Sequence, residues 1–223
     1  MSELKIITTS DGSHSLLQTA LNETYHSVHG AIQESRHVFI HAGLDPWREQ
    51  NPNKEIRILE MGFGTGLNVF LTALHTLESC PGIYYESLEV FPLTMDIVRQ
   101  LNYPTVLGLA ELFARIHDAS WDEPVEITPS FILHKRHEDV LRTPFDKMQL
   151  VDLIFYDAFA PSKQPELWTM EILTKVASML KEGGLFVTYC AKGQVKRDLT
   201  SLGLKVETLP GPPGKKEMIR ATR

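Results

Sequence analysis

Cysteine is nearly absent from this chain. Its 223 residues hold two, Cys80 and Cys190, far apart and with no CxxC spacing or histidine partner, which excludes a disulfide framework and leaves no zinc ligand set. Both are expected to be ordinary buried thiols. Long apolar runs are missing too: no stretch approaches the roughly 20 residues that a membrane span needs. The start, Met1-Ser2-Glu3-Leu4-Lys5, has neither the basic region nor the apolar core of a signal peptide. A cytoplasmic protein with no membrane partner is expected. His26, His29, His37 and His41 cluster in sequence, but without Cys or carboxylate at ligand spacing, so no metal is expected. There is no internal repeat and no low-complexity tract.

What is present is an ordinary globular composition, 43% hydrophobic and 22% charged, in a chain long enough for one well-buried domain and too short for two comfortable ones. The net charge of −6 is uneven. From Lys181 onward nine Lys/Arg face four acids, a local +5 that leaves −11 for the rest. A basic end on an acidic body permits an electrostatic footprint for RNA; a solvated helix face with a charged terminus is the competing reading.

Residues 1–54 read as an extension packed on a core domain of residues 55–223. Leu4 to Thr9 and the run through Leu16 and Leu17 form a hairpin about Asp11-Gly12, a pair that tolerates positive φ at both positions. Asn22 to Ile40 is a polar connector with a short helix leading to Val38-Phe39-Ile40, and Pro46, Asn51, Pro52 and Asn53 mark a loop. Then elements alternate: strands at Ile56–Glu60, Tyr84–Val90, Phe131–Leu133, Val151–Tyr156 and Leu185–Tyr189, with helices at Leu67–Glu78, Pro92–Leu101 and through Leu173, Val176, Ala177 and Leu180, stopping at Gly183-Gly184. Two terminal strands, Lys205–Leu209 and Glu217–Thr222, bring the total to seven. The fold class is α/β, Rossmann-like: a mostly parallel seven-stranded sheet with helices on both faces, plus the amino-terminal hairpin.

In "LEMGFGTGLN" a strand ends in Glu60, Gly62, Gly64 and Gly66 follow at every second position, and Asn68 opens a helix. A dinucleotide loop would be Gly-x-Gly-x-x-Gly with its pyrophosphate at the helix start. The carboxylate of Glu60 would repel a pyrophosphate and suits a ligand carrying ammonium and sulfonium charges, which is S-adenosyl-L-methionine. Glu89, at the end of the next strand, is the acceptor that a ribose with two free hydroxyls needs. One of Glu138 or Asp139 would meet the adenine amino group, with Asp139 taken as the candidate; a solvated charged loop is the alternative.

Asp157 ends the fourth strand, where ligands of an open parallel sheet bind. Methyl transfer to an aliphatic amine needs a group that orients the amine and accepts its proton, and a carboxylate does both. Asp157 is the candidate, with Ala158 leaving room, Phe159 forming a wall, and Pro161 and Pro165 stiffening the loop. The competing readings are a cap for the helix beginning near Pro165 and a salt bridge to Lys163.

Five stretches carry a resemblance: "ESRHVFI" from Glu34, "GFGTGLN" from Gly62, "EVFPLT" from Glu89, "DAFAPSKQPELW" from Asp157 and "GPPGKKEMI" from Gly211. The chain resembles, from about Thr24 to its end, the methyltransferase part of the bifunctional enzymes that complete 5-methylaminomethyl-2-thiouridine at the tRNA wobble position. Gln164 stands where that family more often has Asn, and Pro212 and Pro213 where an aromatic is expected. The resemblance implies a class I S-adenosylmethionine-dependent methyltransferase acting on the amine of 5-aminomethyl-uridine. It maps the cofactor loop onto Gly62, Gly64 and Gly66 and the catalytic carboxylate onto Asp157. It also implies tRNA, by its anticodon stem-loop, as partner, and a separate oxidase in place of the fused flavin-dependent one, so no FAD is expected here. Glu34, Phe159, Pro161, Lys163, Lys192, Lys215 and Lys216 are the candidates on the substrate and RNA side, with Lys196 and Arg197 beside them. Phe159, Trp168 or Tyr25 would stack on the flipped base, core packing being the favoured reading of Trp168. The rival functions are a methyl- or aminopropyltransferase on a small free amine, and a non-catalytic RNA-binding module on the same scaffold.

Overall fold

In the computed structural model, which describes residues 4–77 and 81–223, the chain opens with a three-stranded antiparallel sheet, β1 (Leu4–Thr8), β2 (His14–Gln18) and β3 (Glu23–Thr24). The turn of the expected hairpin is wider than two residues: Thr9 donates its N–H to the Ser13 carbonyl at 2.8 Å, and Gly12 alone of the Asp-Gly pair has positive φ. Asp11 contributes its carboxylate instead. It accepts from Thr9 Oγ1 at 2.8 Å, Ser13 N at 3.0 Å and Gln33 N at 3.0 Å, tying the turn to the helix that follows.

That helix runs as α1 (Ala31–Ser35), a π-helical stretch over Arg36–Leu44, and α2 (Asp45–Gln50). Val38-Phe39-Ile40 is therefore mid-helix, and Pro46 is helical where a loop was expected. A proline has no N–H to donate to the residue four before it. The carbonyl at that position, Ala42, accepts from Arg220 Nη1 at 3.4 Å, so the interrupted helix is tied to the far end of the chain.

The central elements are β4 (Ile56–Met61), α3 (Leu67–Thr76), β5 (Ile83–Leu88), α4 (Met95–Val98), α5 (Tyr103–Leu107), α6 (Ala110–Asp118), β6 (Pro124–Thr128) and β7 (Phe131–Arg136). After them come β8 (Val151–Tyr156), α7 (Met170–Ala177), β9 (Leu180–Thr188), α8 (Gly193–Ser201), β10 (Lys205–Pro210) and β11 (Glu217–Thr222). Eight strands form the sheet, not seven, in the order β10-β11-β9-β8-β4-β5-β7-β6. From β9 to β7 neighbours pair parallel, and the pairs at either edge are antiparallel. The extra strand, β6, starts at a proline and buries only Ile127, a pattern too weak to read as a strand and suited to an edge.

Three further expectations are corrected. α4 covers only four residues of the helix expected at Pro92–Leu101. Leu180 is the first residue of β9, and Gly183-Gly184 lie inside that strand, at a bulge where pairing jumps from Val151–Leu180 to Leu153–Leu185. α5 and α6 had no counterpart in the reading. The expected end of the helix at Glu78, and Cys80, lie outside the described residues; Cys190 is a buried thiol.

Alternation along the strands separates two cores. Ile56 and Ile58, Tyr85, Leu133, Leu153 and Phe155, and Val187 face the side covered by the π-helical stretch, α3 and α6. Leu59 and Met61, Ile154 and Tyr156, and Phe186 face α7 and α8. Successive strand residues point to opposite faces, so strands buried on both sides are apolar nearly throughout. All six residues of β8 are buried, and its one acid, Asp152, accepts from Arg57 N at 2.8 Å and pairs with Lys181. The amino-terminal helix adds Val38, Phe39, Leu44 and Trp47 to the first core.

Gly66, the residue before α3, has φ of 72°, and a Cβ there would come within 2.8 Å of His117 Nε2. Gly12, at φ 82°, has open space around it. Gly12→Ala is expected to cost about 1 kcal/mol of stability, the left-handed penalty alone. Gly66→Ala should cost about 1–3 kcal/mol more through overpacking. Urea unfolding of both variants measures the difference, and equal losses would contradict it.

Candidate active site

A cavity of about 1020 Å³ opens beyond the carboxyl ends of β4, β5 and β8. The chain leaves β4 towards β5 on one side and reaches β8 on the other, so the cavity lies at the switch point of the sheet. Gly62 and Gly64 line it, whereas Gly66 does not; it packs on His117.

Glu60 lies beneath the glycine loop, 1% exposed, and is not part of the cavity wall. Its Oε1 accepts from Asn68 Nδ2 at 3.0 Å and its Oε2 from Ser87 Oγ at 2.6 Å. Burial pushes the carboxyl up to about 8 against the pull of those two bonds. Glu60 thus supports the glycine loop and the start of α3 from below. Asn68, second residue of α3, donates its other amide hydrogen to Asp157 Oδ2 at 2.8 Å. Its Oδ1 is buried and has no hydrogen-bond partner among the described residues, although Asn68 borders the cavity.

Glu89 follows β5 and lines the cavity. One oxygen accepts from Gly64 N at 3.0 Å and the other from Phe91 N at 2.8 Å, so it braces the loop while keeping lone pairs for a hydroxyl donor. Glu138 and Asp139 border the far end. Arg136 donates to Glu138 Oε1 at 2.6 Å and to Glu86 Oε1 at 2.9 Å, while Glu138 Oε2 is buried with no hydrogen-bond partner among the described residues. Asp139 Oδ1 accepts from Leu141 N at 2.9 Å, and its Oδ2 lies 3.8 Å from Arg142 Nε.

Asp157 lies immediately after β8 and keeps a partly exposed face on the cavity. Its carboxyl is held well above the usual range, first by burial and then by the carboxylates of Glu34 and Glu60; the Asn68 bond and Lys215 oppose the rise. Neither competing reading of Asp157 survives. The 3-10 turn Pro165–Trp168 starts from Gln164 with no side-chain cap, and Lys163 Nζ donates to the Leu21 and Asn22 carbonyls at 2.8 and 3.3 Å. Lys163 thus ties the Asp157 loop to the amino-terminal sheet.

Glu34 reaches the cavity from α1. It accepts from Ser27 N at 2.9 Å and from Lys215 Nζ. Lys215 Nζ sits 3.9 Å above the centre of the Tyr189 ring, and Tyr189 donates its hydroxyl to the Ala158 carbonyl at 2.8 Å. Lys215 is consequently inside the site and not on an outer RNA-facing surface. Phe159 meets Tyr25 edge to face at 5.2 Å, both on the cavity wall, with Val28 and the 77% exposed Phe91 at its rim. Trp168 is core packing: it is buried against Tyr156 and donates to the Phe159 carbonyl at 2.8 Å. Pro161, Lys163, Lys192 and Lys216 do not line the cavity. Tyr189 and His26 were missed. Tyr189 stands just past β9 as Asp157 does past β8, a signal the sequence carried; His26, bonded to Thr65 Oγ1 at 2.8 Å and held down to about 4 by burial, offered none.

Comparison with known proteins agrees with this geometry. Residues 135–223 match a family described as S-adenosyl-L-methionine-dependent methyltransferase. The "tRNA 5-methylaminomethyl-2-thiouridine biosynthesis bifunctional protein MnmC" of Pseudoalteromonas atlantica is 30% identical over 91% of this chain and 31% of its own length. That of Leptospira borgpetersenii is 31% identical over 89% of this chain and 32% of its own. The chain thus spans about a third of the length of the curated relatives it matches. The crystal structure of MnmC2 from Aquifex aeolicus superposes with a TM-score of 0.80 at 27% identity, covering 100% of this chain and 70% of that one. By its sheet order and these matches, the chain has the class I fold of the S-adenosyl-L-methionine-dependent methyltransferases.

Proposed function

We propose that this protein methylates the primary amine of 5-aminomethyl-(2-thio)uridine at the tRNA wobble position, giving the 5-methylaminomethyl form. The observation that carries the reading is Asp157: a partly exposed carboxylate at the switch point, oriented by Asn68 and surrounded by other acids. Such a group attracts an alkylammonium and, with its raised proton affinity, is a competent acceptor for one of its protons.

The residues present fit S-adenosyl-L-methionine. The unpartnered Oδ1 of buried Asn68 is an acceptor awaiting a cationic or N–H donor, and Glu89 keeps lone pairs for a ribose diol. Asp139 and the unpartnered Oε2 of Glu138 are the acceptors for the adenine amino group. The cavity is at the upper end of the ~300–1,000 Å³ of small-molecule sites, enough for a cofactor and a nucleoside together. When bound, the cofactor supplies a methyl on a sulfonium that departs as a thioether. Asp157 orients the amine and takes its proton, which frees the nitrogen lone pair for in-line attack. Tyr25 and Phe159 form an aromatic surface for the extruded base. Lys192 and Lys216, both exposed, with Lys196 and Arg197 nearby, face the phosphates of the anticodon stem-loop. Residues 1–54 act as part of the same unit, since they supply Tyr25 and Glu34.

The test incubates the protein and labelled cofactor with tRNA from cells unable to perform the final methylation, followed by nucleoside mass spectrometry. Methyl on 5-aminomethyl-uridine is expected, with a loss of about 10²–10⁴-fold in Asp157→Asn while cofactor still binds. No methyl on tRNA but transfer to a small free amine, insensitive to salt, would replace this reading. Because the base form of Asp157 is the active one and its proton affinity is raised, the rate should climb with pH to a midpoint well above that of an ordinary carboxylate. Asn68→Ala removes the donor to both acids. It is expected to weaken cofactor binding about tenfold and to move that midpoint further up, as read by calorimetry and by the pH profile.

A further inference from the structure

The cavity wall contains more acid than the proposed reaction uses, and part of it is held by partners. Glu89 accepts from two backbone N–H groups and Glu138 Oε1 from Arg136, while Glu60, beneath the wall, accepts from Asn68 and Ser87. Glu23, Asp139 and Glu166 also line the cavity, but Glu34 is the wall carboxylate that acts on Asp157. Its partner comes from 181 residues away: Lys215, on the turn between β10 and β11, reaches in to pair with Glu34 Oε2 and rest on the Tyr189 ring. That turn is placed closely. Gly214 has φ of 84°, and a Cβ on it would come within 2.0 Å of the His29 ring, so Lys215 is delivered by a backbone packed directly on the segment before α1.

Resting on the amine-methylation reading, we propose that Lys215 is a positioning residue for the reaction: by pairing with Glu34 it leaves Asp157 as the single carboxylate able to engage the substrate ammonium and accept its proton. Of the two Asp157 oxygens, Oδ2 takes the Asn68 bond and Oδ1 has no partner among the described residues. An ammonium entering this corner meets one available acceptor and not two. Were Glu34 unpaired, a substrate cation would be shared between two carboxylates and its nitrogen drawn off the line of attack. The proton step balances within the pair: an N–H bond of the ammonium breaks, the proton passes to Oδ1, and the lone pair it leaves forms the new bond to carbon.

The groups that bear on this corner come from every element around it. Glu60 on β4 and Tyr85 on β5 act on Asp157 from below, and Tyr189 and Cys190 lie beyond β9. His26 faces Glu34 and Lys215 from the end of the amino-terminal sheet, and Glu23 faces Tyr189. His26, held neutral by burial down to about 4, does not compete with Lys215 for Glu34 near neutrality. Among the residues acting on Asp157, Lys215 is the only cation.

The experiment is a carboxyl titration of the whole protein by carbon-13 NMR with labelled aspartate, the Asp157 signal assigned by its loss in Asp157→Asn. Lys215→Met is expected to raise the Asp157 midpoint by about one pH unit and Glu34→Gln to lower it by a similar amount. Lys215→Arg should keep the wild-type midpoint, and the Glu34→Gln/Lys215→Met double variant should return towards it, because both charges leave together. In methylation assays the acid limb of kcat/KM should move with the NMR midpoint in each variant. Single variants that shift the midpoint in the same direction, or leave it in place, would overturn the proposal, since a purely structural role has no sign that depends on charge. A wild-type protein that fails to methylate the amine would sink the functional reading, while the titration would still report on the Glu34–Lys215–Asp157 coupling.

Discussion

One side-chain amide holds the site together. Asn68 donates one hydrogen to Glu60 and the other to Asp157, at 3.0 and 2.8 Å. Those acids belong to β4 and to the end of β8, adjacent strands either side of the switch point. Without a donor between them, two buried carboxyls would repel or share a proton. An asparagine answers both because its NH₂ presents two donors in one plane. The position is available because the chain turns into α3 directly after the glycines, so the second helical residue looks back across the strand ends. The end of β4, the start of α3 and the catalytic candidate are thus coupled through one side chain.

The closure of the cavity depends on the two ends of the chain. Tyr25, Ser27 and Glu34 come from the first fifth of the sequence, Tyr189 and Lys215 from the last. The amino-terminal sheet is fixed to the core by polar contacts of long sequence separation: His14 N to Asn102 Oδ1 at 2.7 Å, Asn102 Nδ2 to the Gly12 carbonyl at 2.8 Å, and Lys163 to the Leu21 carbonyl. Two of the three acceptors are backbone carbonyls, one exposed and one half-buried, and together the contacts join the extension that supplies one wall of the cavity to the core that supplies the other.

What was legible in the sequence follows from how local each signal is. The parallel strands were readable because two-sided burial leaves apolar runs, as in Val151–Tyr156, and Asp157 stood out as a charge at the end of one. β6 was not, because an edge strand that buries only Ile127 has no pattern to detect. The bulge in β9 misled for a related reason: Gly183-Gly184 after a helical period imitates a helix stop, and only the pairing of Leu185 with Leu153 reveals a strand. For the site, residue types were read correctly as a set of acids around a glycine loop. Their depth was not. Glu60 and Glu89 look alike as strand-end carboxylates, yet Glu60 points beneath the loop to Ser87 and Glu89 towards the cavity, a distinction set by depth, since Glu60 lies inside β4 and Glu89 lies just past the last residue of β5.

The basic carboxy-terminal segment shows how a charge tally differs from a charged surface. Four of the nine cations counted from Lys181 onward are in ion pairs: Lys181 with Asp152, Lys196 with Glu217, Lys215 with Glu34 and Arg220 with Glu207. Two of those partners, Asp152 and Glu34, lie outside the segment, so counting along the chain could not cancel them. Arg223 donates to the Ser178 and Leu180 carbonyls and closes the sheet edge. Exposed pairs add little stability, but each lowers the local potential that a polyanion would meet. Lys192, Lys205 and Lys216 have no ion-pair partner among the described residues. Each phosphate that such a cation neutralises would steepen the log–log salt dependence by about 0.9 on a B-form duplex and about 0.7 on a single strand. Each ion pair counted here therefore removes about that much from the hold that a tally of nine suggests.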